Sequence, residues 1–160
     1  MRVVTLLFLR QEGQILLAMK KRGFGVGKWN GVGGKADTDE SAEQAAIREC
    51  QEEIGVTPLK PRLVGKIKFY EQNDPTFGHY IHIFTATKWQ GEPIETEEMR
   101  PEWFDIQDIP YGKMWVDDPL WLPLVLEGKK IQGTLTLDGD TITFHDITVV
   151  ASLTEDPHDA

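Results

Sequence analysis

Runs of apolar and β-branched residues, broken by short polar turns, predict a protein built mainly from β-strands. The runs at residues 3–9 and 14–19 flank Gln11-Glu12-Gly13, which predicts two strands joined by a tight turn. Asp138-Gly139 separates two later runs in the same way and predicts a β-hairpin with a two-residue turn. The predicted strands cover residues 3–9, 14–19, 63–70, 80–86, 134–137 and 140–147.

Two segments have the polar boundaries that are typical of helices. The clearer one covers residues 41–54, with Ser41 or Asp39 available as the N-cap. The second covers residues 118–128 and opens on Asp118-Pro119, with Asp118 as the predicted cap. No internal repeat or linker interrupts this order. We therefore expect one α+β domain, a mixed sheet with two helices packed on it.

The length and charge of the chain limit the classes of protein to which it can belong. The 160 residues suffice for one domain, expected over residues 1–150, and the acidic segment 151–160 is expected to be a disordered tail. The 17 basic and 26 acidic residues give a net charge of −9, which disfavours binding to a polynucleotide. A small phosphorylated substrate remains possible, because bound divalent cations reverse the local charge.

The remaining composition predicts a cytoplasmic protein. No run approaches the roughly 18 apolar residues of a membrane helix, and the N-terminus is too short for a signal peptide. The single cysteine, Cys50, excludes an internal disulfide and is expected to be packed in the core. Since no strip of exposed apolar residues stands out, we expect a monomer.

Several candidate motifs fail on spacing. The loop Gly23-Phe24-Gly25-Val26-Gly27-Lys28 lacks the last glycine of a dinucleotide-binding fingerprint. Gly34-Lys35 is followed by Ala36, where a phosphate-binding P-loop needs Ser or Thr. His79 and His82 are three residues apart on a predicted strand and should point to opposite faces. We expect two partly exposed sheet residues there, not a zinc site.

The first predicted helix carries three carboxylates on one face. Glu49, Glu52 and Glu53 stand at positions i, i+3 and i+4, where like charges repel by about 0.2–0.5 kcal/mol per pair. A hard cation such as Mg²⁺ would offset this repulsion, because it binds carboxylate oxygens. A solvated acidic face without a metal explains the same spacing, so these three residues alone leave both interpretations open.

The residues around this helix carry a longer pattern. Gly34, five residues, Glu40, seven residues and Arg48-Glu49-Cys50-Gln51-Glu52-Glu53-Ile54-Gly55-Val56 together span 23 residues. On this pattern the chain resembles the Nudix family at every defined position, with Cys50 in place of the usual apolar residue. The resemblance implies the Nudix fold, in which a mixed β-sheet is sandwiched between two α-helices. It also implies an enzyme that cleaves nucleoside diphosphates linked to another group.

Other segments resemble the branch of that family that hydrolyses oxidised purine nucleoside triphosphates. These segments are Lys20-Lys21-Arg22-Gly23-Phe24-Gly25, Lys28-Trp29-Asn30-Gly31, Glu98-Met99-Arg100-Pro101, Trp103-Phe104 and Met114-Trp115-Val116-Asp117-Asp118. The similarity covers about residues 3–150. Val116 departs from the pattern of this branch, which has proline there, and the residues after 150 have no counterpart.

The resemblance implies metal-dependent release of monophosphate and pyrophosphate from a nucleoside triphosphate. The ligands implied for Mg²⁺, with Mn²⁺ as the alternative, are Gly34, Glu49, Glu52, Glu53 and Glu98. Either Glu53 or Glu98 would be the general base, and this choice stays open. Arg48 would orient the glutamates by ion pairing, and Lys20 could contact a phosphate. The Gly33-Gly34 backbone would allow metal or phosphate to approach closely.

Recognition of a purine base is implied for a second set of residues. These are Thr5, Phe24, Asn30, Phe69, Trp115, Asp117 and Asp118. The rings would stack on the base or wall its site, and Asn30 both donates and accepts hydrogen bonds. Asp117 and Asp118 would titrate as a coupled pair, with one protonated donor beside one acceptor, which suits several oxidised purines. As alternatives, Asp118 could simply cap the second helix, and Trp115 and Phe69 could be ordinary core residues.

Three functions therefore compete. The leading one is a Mg²⁺-dependent pyrophosphohydrolase that removes modified purine nucleoside triphosphates. The second is a Nudix hydrolase of another nucleoside diphosphate derivative, such as ADP-ribose or a dinucleoside polyphosphate. The third is a catalytically silent nucleotide-binding module, against which the intact Glu49, Glu52 and Glu53 set argues.

Overall fold

The computed structural model describes residues 1–156, apart from the side chains of Pro75 and Phe77. Its α-helices are α1 (Ala42–Ile54) and α2 (Asp118–Leu126), and a short 3₁₀ helix spans Tyr111–Lys113. Within residues 1–156, no helix has the length and apolar character needed to cross a bilayer. The strands are β1 (Arg2–Gln11), β2 (Gln14–Lys20), β3 (Trp29–Asn30), β4 (Thr57–Pro58), β5 (Arg62–Glu71), β6 (Asp74–Ala86), β7 (Trp89–Gln90), β8 (Met99–Asp105), β9 (Lys130–Asp138) and β10 (Thr141–Val150).

Most of the strands form one mixed sheet. Its order is β10-β9-β5-β6-β1-β2-β3, with β8 beside β2, whereas β4 and β7 form a separate two-stranded sheet. β1 runs parallel to β6 and β5 parallel to β9, and the other pairs are antiparallel. The register places Leu6 beside Ile83 and Ile67 beside Ile81. One face of the central strands is therefore aliphatic.

Successive residues of β1 point to opposite sides of the sheet and build two cores. Leu7 and Leu9 are buried in the core that contains Ala46 of α1. Phe8, between them, is buried on the other side, with its ring centroid 6.1 Å from that of Trp121 in α2. A mixed sheet thus lies between two helices, which confirms the predicted α+β fold class.

Capping chemistry determines both ends of α1. Ser41, not Asp39, is the N-cap. Its hydroxyl accepts a hydrogen bond from the backbone N–H of Gln44 at 3.1 Å, and the Gln44 side chain accepts one from the Ser41 N–H at 2.9 Å. Gly55 ends the helix with a left-handed φ of 74°. Because both ends of α1 are capped, the acidic residues of its last two turns are held in a fixed orientation.

The predicted cap of the second helix is wrong. Asp118 is the first residue of α2, and its carboxylate accepts a hydrogen bond from the backbone N–H of Trp115 at 3.1 Å. Asp117 occupies the cap position without making a side-chain capping bond. Both aspartates are buried, so their carboxylates face the interior.

The predicted hairpin is present, but its turn lies one residue later. β9 ends at Asp138 and β10 begins at Thr141, which leaves Gly139 and Asp140 as the two-residue turn. Gly139 has a φ of 60°, a conformation that glycine adopts without the steric cost that a side chain brings.

The far part of the sheet differs from one prediction. His82 is fully buried, whereas both histidines were expected to be partly exposed. Residues 157–160 of the expected disordered tail lie outside the described residues. In the part before them, the buried Lys66 of β5 donates to the backbone oxygen of Thr154 and to Asp156 at 3.0 Å.

Candidate active site

The last two turns of α1 hold an arginine among several carboxylates. The Nε of Arg48 donates to Glu40 at 2.7 Å, and its Nη1 donates to Glu49 at 3.0 Å and to Glu52 at 3.2 Å. The bonds to Glu40 and Glu49, first of all the one to Glu40, raise the pKa of Arg48. The guanidinium fork thus orients three glutamates at once.

Glu53 lies on the inner side of the same helix. It is only 6% exposed and accepts a hydrogen bond from the backbone N–H of Gly33 at 3.3 Å. Burial, together with repulsion from Glu49 and Glu98, raises the pKa of Glu53 to about 8. Burial also raises the pKa of Glu49. These carboxylates therefore repel one another in a partly desolvated place, where a proton or a cation would stabilise them.

The glycine segment 32–35 runs beside β1 and faces this helix. The Thr5 N–H donates to the Gly34 carbonyl oxygen at 2.8 Å, which holds the segment against the strand. A Cβ built on Gly34 would lie 2.6 Å from the carboxyl carbon of Glu49. A side chain at this position would force the Glu49 carboxylate to shift, so the first residue of the pattern leaves that carboxylate its place.

Thr5 and Gly34, predicted to contact a base and a metal, are hydrogen-bonded to each other. The Thr5 hydroxyl donates to the Gly34 carbonyl oxygen at 3.3 Å, and Thr5 does not line the cavity described below. Contact of Thr5 with a base therefore stays a prediction. Gly34 leaves space for the Glu49 carboxylate, and its role as a metal ligand stays a prediction.

Lys20 and Glu98 adjoin the carboxylate group from two paired strands. Lys20 ends β2 and pairs with Met99 of β8, the residue after Glu98. The charge of Lys20 lowers the pKa of Glu53, and the charge of Glu98 raises it. Both residues therefore lie near Glu53, as the predicted phosphate and metal roles require.

The fit of a divalent cation can be judged from this chemistry. No three acidic, histidine or cysteine side chains within residues 1–156 already enclose a metal position. However, a cation would offset both the burial of Glu53 and its repulsion by Glu49 and Glu98. Glu52 is the outermost of the predicted ligands, 58% exposed and paired with Arg48. The residues fit a hard cation centred on Glu49 and Glu53.

A cavity of about 430 Å³ lies on the opposite face of the sheet, next to α2. Val4 and Leu6 of β1 line it, whereas Thr5 between them points toward the glycine segment. Its volume is in the range of small-molecule sites. The predicted base-binding residues that line it are Phe24, Asn30, Phe69, Trp115, Asp117 and Asp118.

Trp115 supplies a flat wall of this cavity. The largely exposed Phe24 ring lies against it, with centroids 5.2 Å apart and planes 31° apart, and the Lys28 ammonium lies 5.1 Å from the indole centroid. A Cβ on Gly25 would come within 2.9 Å of the indole. The glycine-rich loop therefore serves to pack against Trp115.

Asp117 and Asp118 form a buried acidic pair in the cavity wall. Burial raises the pKa of Asp117, although its carboxylate accepts a hydrogen bond from the Trp121 indole N–H at 2.9 Å. Burial and the neighbouring Asp117 raise the pKa of Asp118 well above its usual value. Such a pair retains a proton at a pH where exposed aspartates have lost theirs. The cavity can then offer both a donor and an acceptor to a ligand.

Sequence reasoning missed several cavity residues. His79 was interpreted as a sheet residue without a role, yet it lines the cavity together with Ile81 and Ile83 of β6. Alternate residues of one strand share a face, so the spacing 79, 81, 83 was the available signal. This spacing could not be assigned to a cavity before the register of β6 with β1 was known.

Comparison with known proteins agrees with this geometry. The NUDIX domain family model matches residues 1–125, most of the chain. The chain belongs to the Nudix hydrolase family. Enzymes of this family generally need a divalent metal. The predicted family and fold are therefore confirmed.

Two curated relatives match this chain over nearly its whole length. The oxidized purine nucleoside triphosphate hydrolase of Danio rerio is 48% identical over 95% of this chain and 97% of its own length. The protein of the same name from Mus musculus is 43% identical over 94% and 97%. Among solved structures, a MutT protein from Bacillus halodurans has a TM-score of 0.81 at 25% identity, with 92% of this chain and 97% of that chain covered.

Proposed function

We propose that this Nudix hydrolase cleaves modified purine nucleoside triphosphates, such as 8-oxo-dGTP and 2-hydroxy-dATP, to the monophosphate and pyrophosphate. The observation that carries the proposal is the buried pair Asp117 and Asp118, which shares an apolar cavity with Asn30 and the Trp115 wall. The names of the relatives support the same substrate class.

The carboxylate group of α1 would provide the hydrolytic chemistry. Mg²⁺, or Mn²⁺, held by Glu49 and Glu53 with Glu52 and Glu98 adjoining, would offset triphosphate charge and make water more acidic. Glu53, next to the Gly33 backbone, is our candidate for the proton acceptor, and Glu98 is the alternative. Arg48 holds the neighbouring carboxylates in position, and Lys20 would contact a phosphate.

Base selection would depend on the proton shared by Asp117 and Asp118. A protonated carboxyl donates where a carboxylate accepts, so moving the proton between the two would present either pattern to the base. Oxidised guanine and oxidised adenine differ in the donors and acceptors of their edges. Trp115 would stack on either ring, so the site would accept both bases.

Product analysis with Mg²⁺ tests the proposal. The panel comprises 8-oxo-dGTP, 2-hydroxy-dATP, dGTP, ADP-ribose and a dinucleoside polyphosphate. We expect monophosphate and pyrophosphate, formed much faster from the modified purines than from dGTP. Cleavage of ADP-ribose or the dinucleoside alone would contradict the base site, and absence of any turnover would favour a silent binding module.

Asp117→Asn and Asp118→Asn test the shared proton directly. We expect each variant to change the ratio of kcat/KM between 8-oxo-dGTP and 2-hydroxy-dATP by about tenfold or more, because a buried hydrogen bond to a charged group is worth about 1.5–3 kcal/mol. Asp105→Asn, an exposed acid on β8, is the matched control. Unchanged ratios in both variants would overturn the role of the pair.

A further inference from the structure

A second cavity lies at the opposite end of the sheet from the base-binding cavity. Its volume is about 590 Å³, and it is lined where β1, β5 and β6 meet the chain between α2 and β9. Val4, in the first cavity, and Arg10, in the second, are six residues apart on β1, which corresponds to about 20 Å. The second cavity is therefore separate from the proposed active site.

Four cationic side chains line this second cavity. They are Arg10, Lys60, Arg62 and Lys130, and Glu12 is the one carboxylate among the described lining residues. The chain has 26 acidic and 17 basic residues, so carboxylates are plentiful partners elsewhere. Yet within residues 1–156 none of the four cations forms an ion pair. Burial lowers the pKa of Arg10, with no carboxylate opposing the effect.

Lys60 adds a backbone observation. It is the only residue other than glycine with a positive φ in the described part of the chain, at 47°. This conformation costs a lysine about 1–2 kcal/mol, which glycine would avoid. A strained lysine beside three other unpaired cations is consistent with a side chain retained for its charge.

The lining residues also indicate the chemical class of the ligand. Arginine and lysine side chains bind phosphate oxygens well, arginine through two parallel hydrogen bonds. No aromatic side chain lines the cavity within the described residues, so a base or a single-stranded nucleic acid would find no stacking surface. The Thr85 and Thr87 residues at the end of β6 add hydroxyl groups to the lining.

We propose that this cavity binds an inorganic oligophosphate, pyrophosphate or triphosphate, through Arg10, Arg62, Lys60 and Lys130. The ligand would neutralise four like charges that otherwise repel one another in one place. Pyrophosphate is also a product of the proposed reaction, but the argument for this site stands on the cavity and its charges alone.

Titration calorimetry of the full chain with inorganic triphosphate tests the proposal. EDTA is included, because the carboxylate group of α1 would bind triphosphate only through a metal. We expect one ligand per chain and an affinity that falls as salt increases. The Glu53→Gln chain should bind equally well, and loss of binding in it would overturn a separate site. No heat of binding with up to millimolar triphosphate would also overturn the proposal.

Two variants locate the site. Arg62→Gln removes an exposed guanidinium and should weaken triphosphate binding about tenfold or more. Lys60→Gly should weaken binding similarly while leaving the melting temperature equal or higher, because glycine accepts the positive φ. Lys113→Gln, an exposed lysine elsewhere, should change nothing. Equal affinity in all three variants would contradict the assignment.

Binding of two further ligands distinguishes an inorganic oligophosphate from a nucleotide and from a nucleic acid. We expect dGTP to bind in EDTA no more tightly than triphosphate, because the cavity recognises the phosphate chain and not the nucleoside. Binding of dGTP that is tighter by tenfold or more, and that Arg62→Gln weakens, would overturn the inorganic ligand in favour of a nucleotide. Saturable binding of a single-stranded oligonucleotide, without binding of triphosphate, would overturn it in favour of a nucleic acid.

Discussion

The carboxylate group of α1 and the acidic pair beside α2 place the same kind of side chain in two different surroundings. On α1, Glu49 is tied to Arg48 at 3.0 Å, and Glu53 is near Lys20, Glu49 and Glu98. In the cavity, Asp117 and Asp118 are bonded to the indole N–H of Trp121 and the backbone N–H of Trp115. Burial is the main cause of the raised carboxyl pKa in both regions.

The two regions differ in what would offset the cost of burying their carboxylates. Several carboxylates converge around Glu53, so a multivalent cation suits that group better than a single proton. Asp117 and Asp118 are two acids among aromatic and aliphatic side chains, and one shared proton suffices for them. Under the proposed function, equal residue types would thus bind a metal in one region and a neutral base in the other.

The largest expected effect is that of Glu53→Gln. Loss of the proton acceptor should lower kcat by about 100- to 10,000-fold. The amide oxygen can still accept the Gly33 hydrogen bond, so the melting temperature should not fall. Glu43→Gln, an exposed acid in the first turn of α1, is the control. Wild-type turnover in the Glu53→Gln variant would contradict the proposed hydrolytic role of the α1 carboxylates, which distinguishes them from the acidic pair beside α2.

Gly34→Ala should affect the α1 group without touching any charge. The added Cβ would come within 2.6 Å of the Glu49 carboxyl carbon and displace it. A displacement of this order can cost about 100-fold in kcat. Gly112→Ala, where an added Cβ has no neighbour within 4 Å, should leave turnover unchanged. If both alanine variants behave alike, the close packing of Gly34 on Glu49 has no catalytic meaning.

Trp115→Ala should affect the cavity region and spare the chemistry on α1. Loss of stacking, worth about 1–3 kcal/mol for one base, should raise KM for 8-oxo-dGTP about 5- to 150-fold with a smaller change in kcat. Trp115→Phe keeps an aromatic face and should recover much of the affinity. An alanine variant with unchanged KM would exclude Trp115 from base binding.

The smallest expected effect concerns stability and pH. Because burial raises the pKa of Asp118, its proton stabilises the native state fully below the unfolded pKa, and this stabilisation is lost as the pH rises through the folded pKa. Asp118→Asn has no proton to lose. It should melt about 2–4 °C above the wild type at pH 8, with the gap closing toward pH 4. A gap that widens on acidification would contradict the raised pKa.

Features that lie within a single helix or strand could be predicted from the sequence. The spacing of Glu49, Glu52 and Glu53 places them on one helix face in any fold, and Ser41 and Gly55 mark the ends of that helix by capping chemistry. The Asp118 cap failed for a related reason. Its partner, the backbone N–H of Trp115, lies before the helix, and the burial of the acid depends on the sheet that packs against α2.

The Nudix family and the carboxylate helix follow from residue spacing along a single stretch of chain, and the fold class follows from the order of strands and helices predicted along the sequence. Only the tertiary structure placed Thr5 on the Gly34 side of β1, brought His79 into the cavity and gathered Arg10, Arg62 and Lys130 from three strands. Strand order and register decide such neighbours. They depend on the packing of the whole sheet, which no local pattern contains.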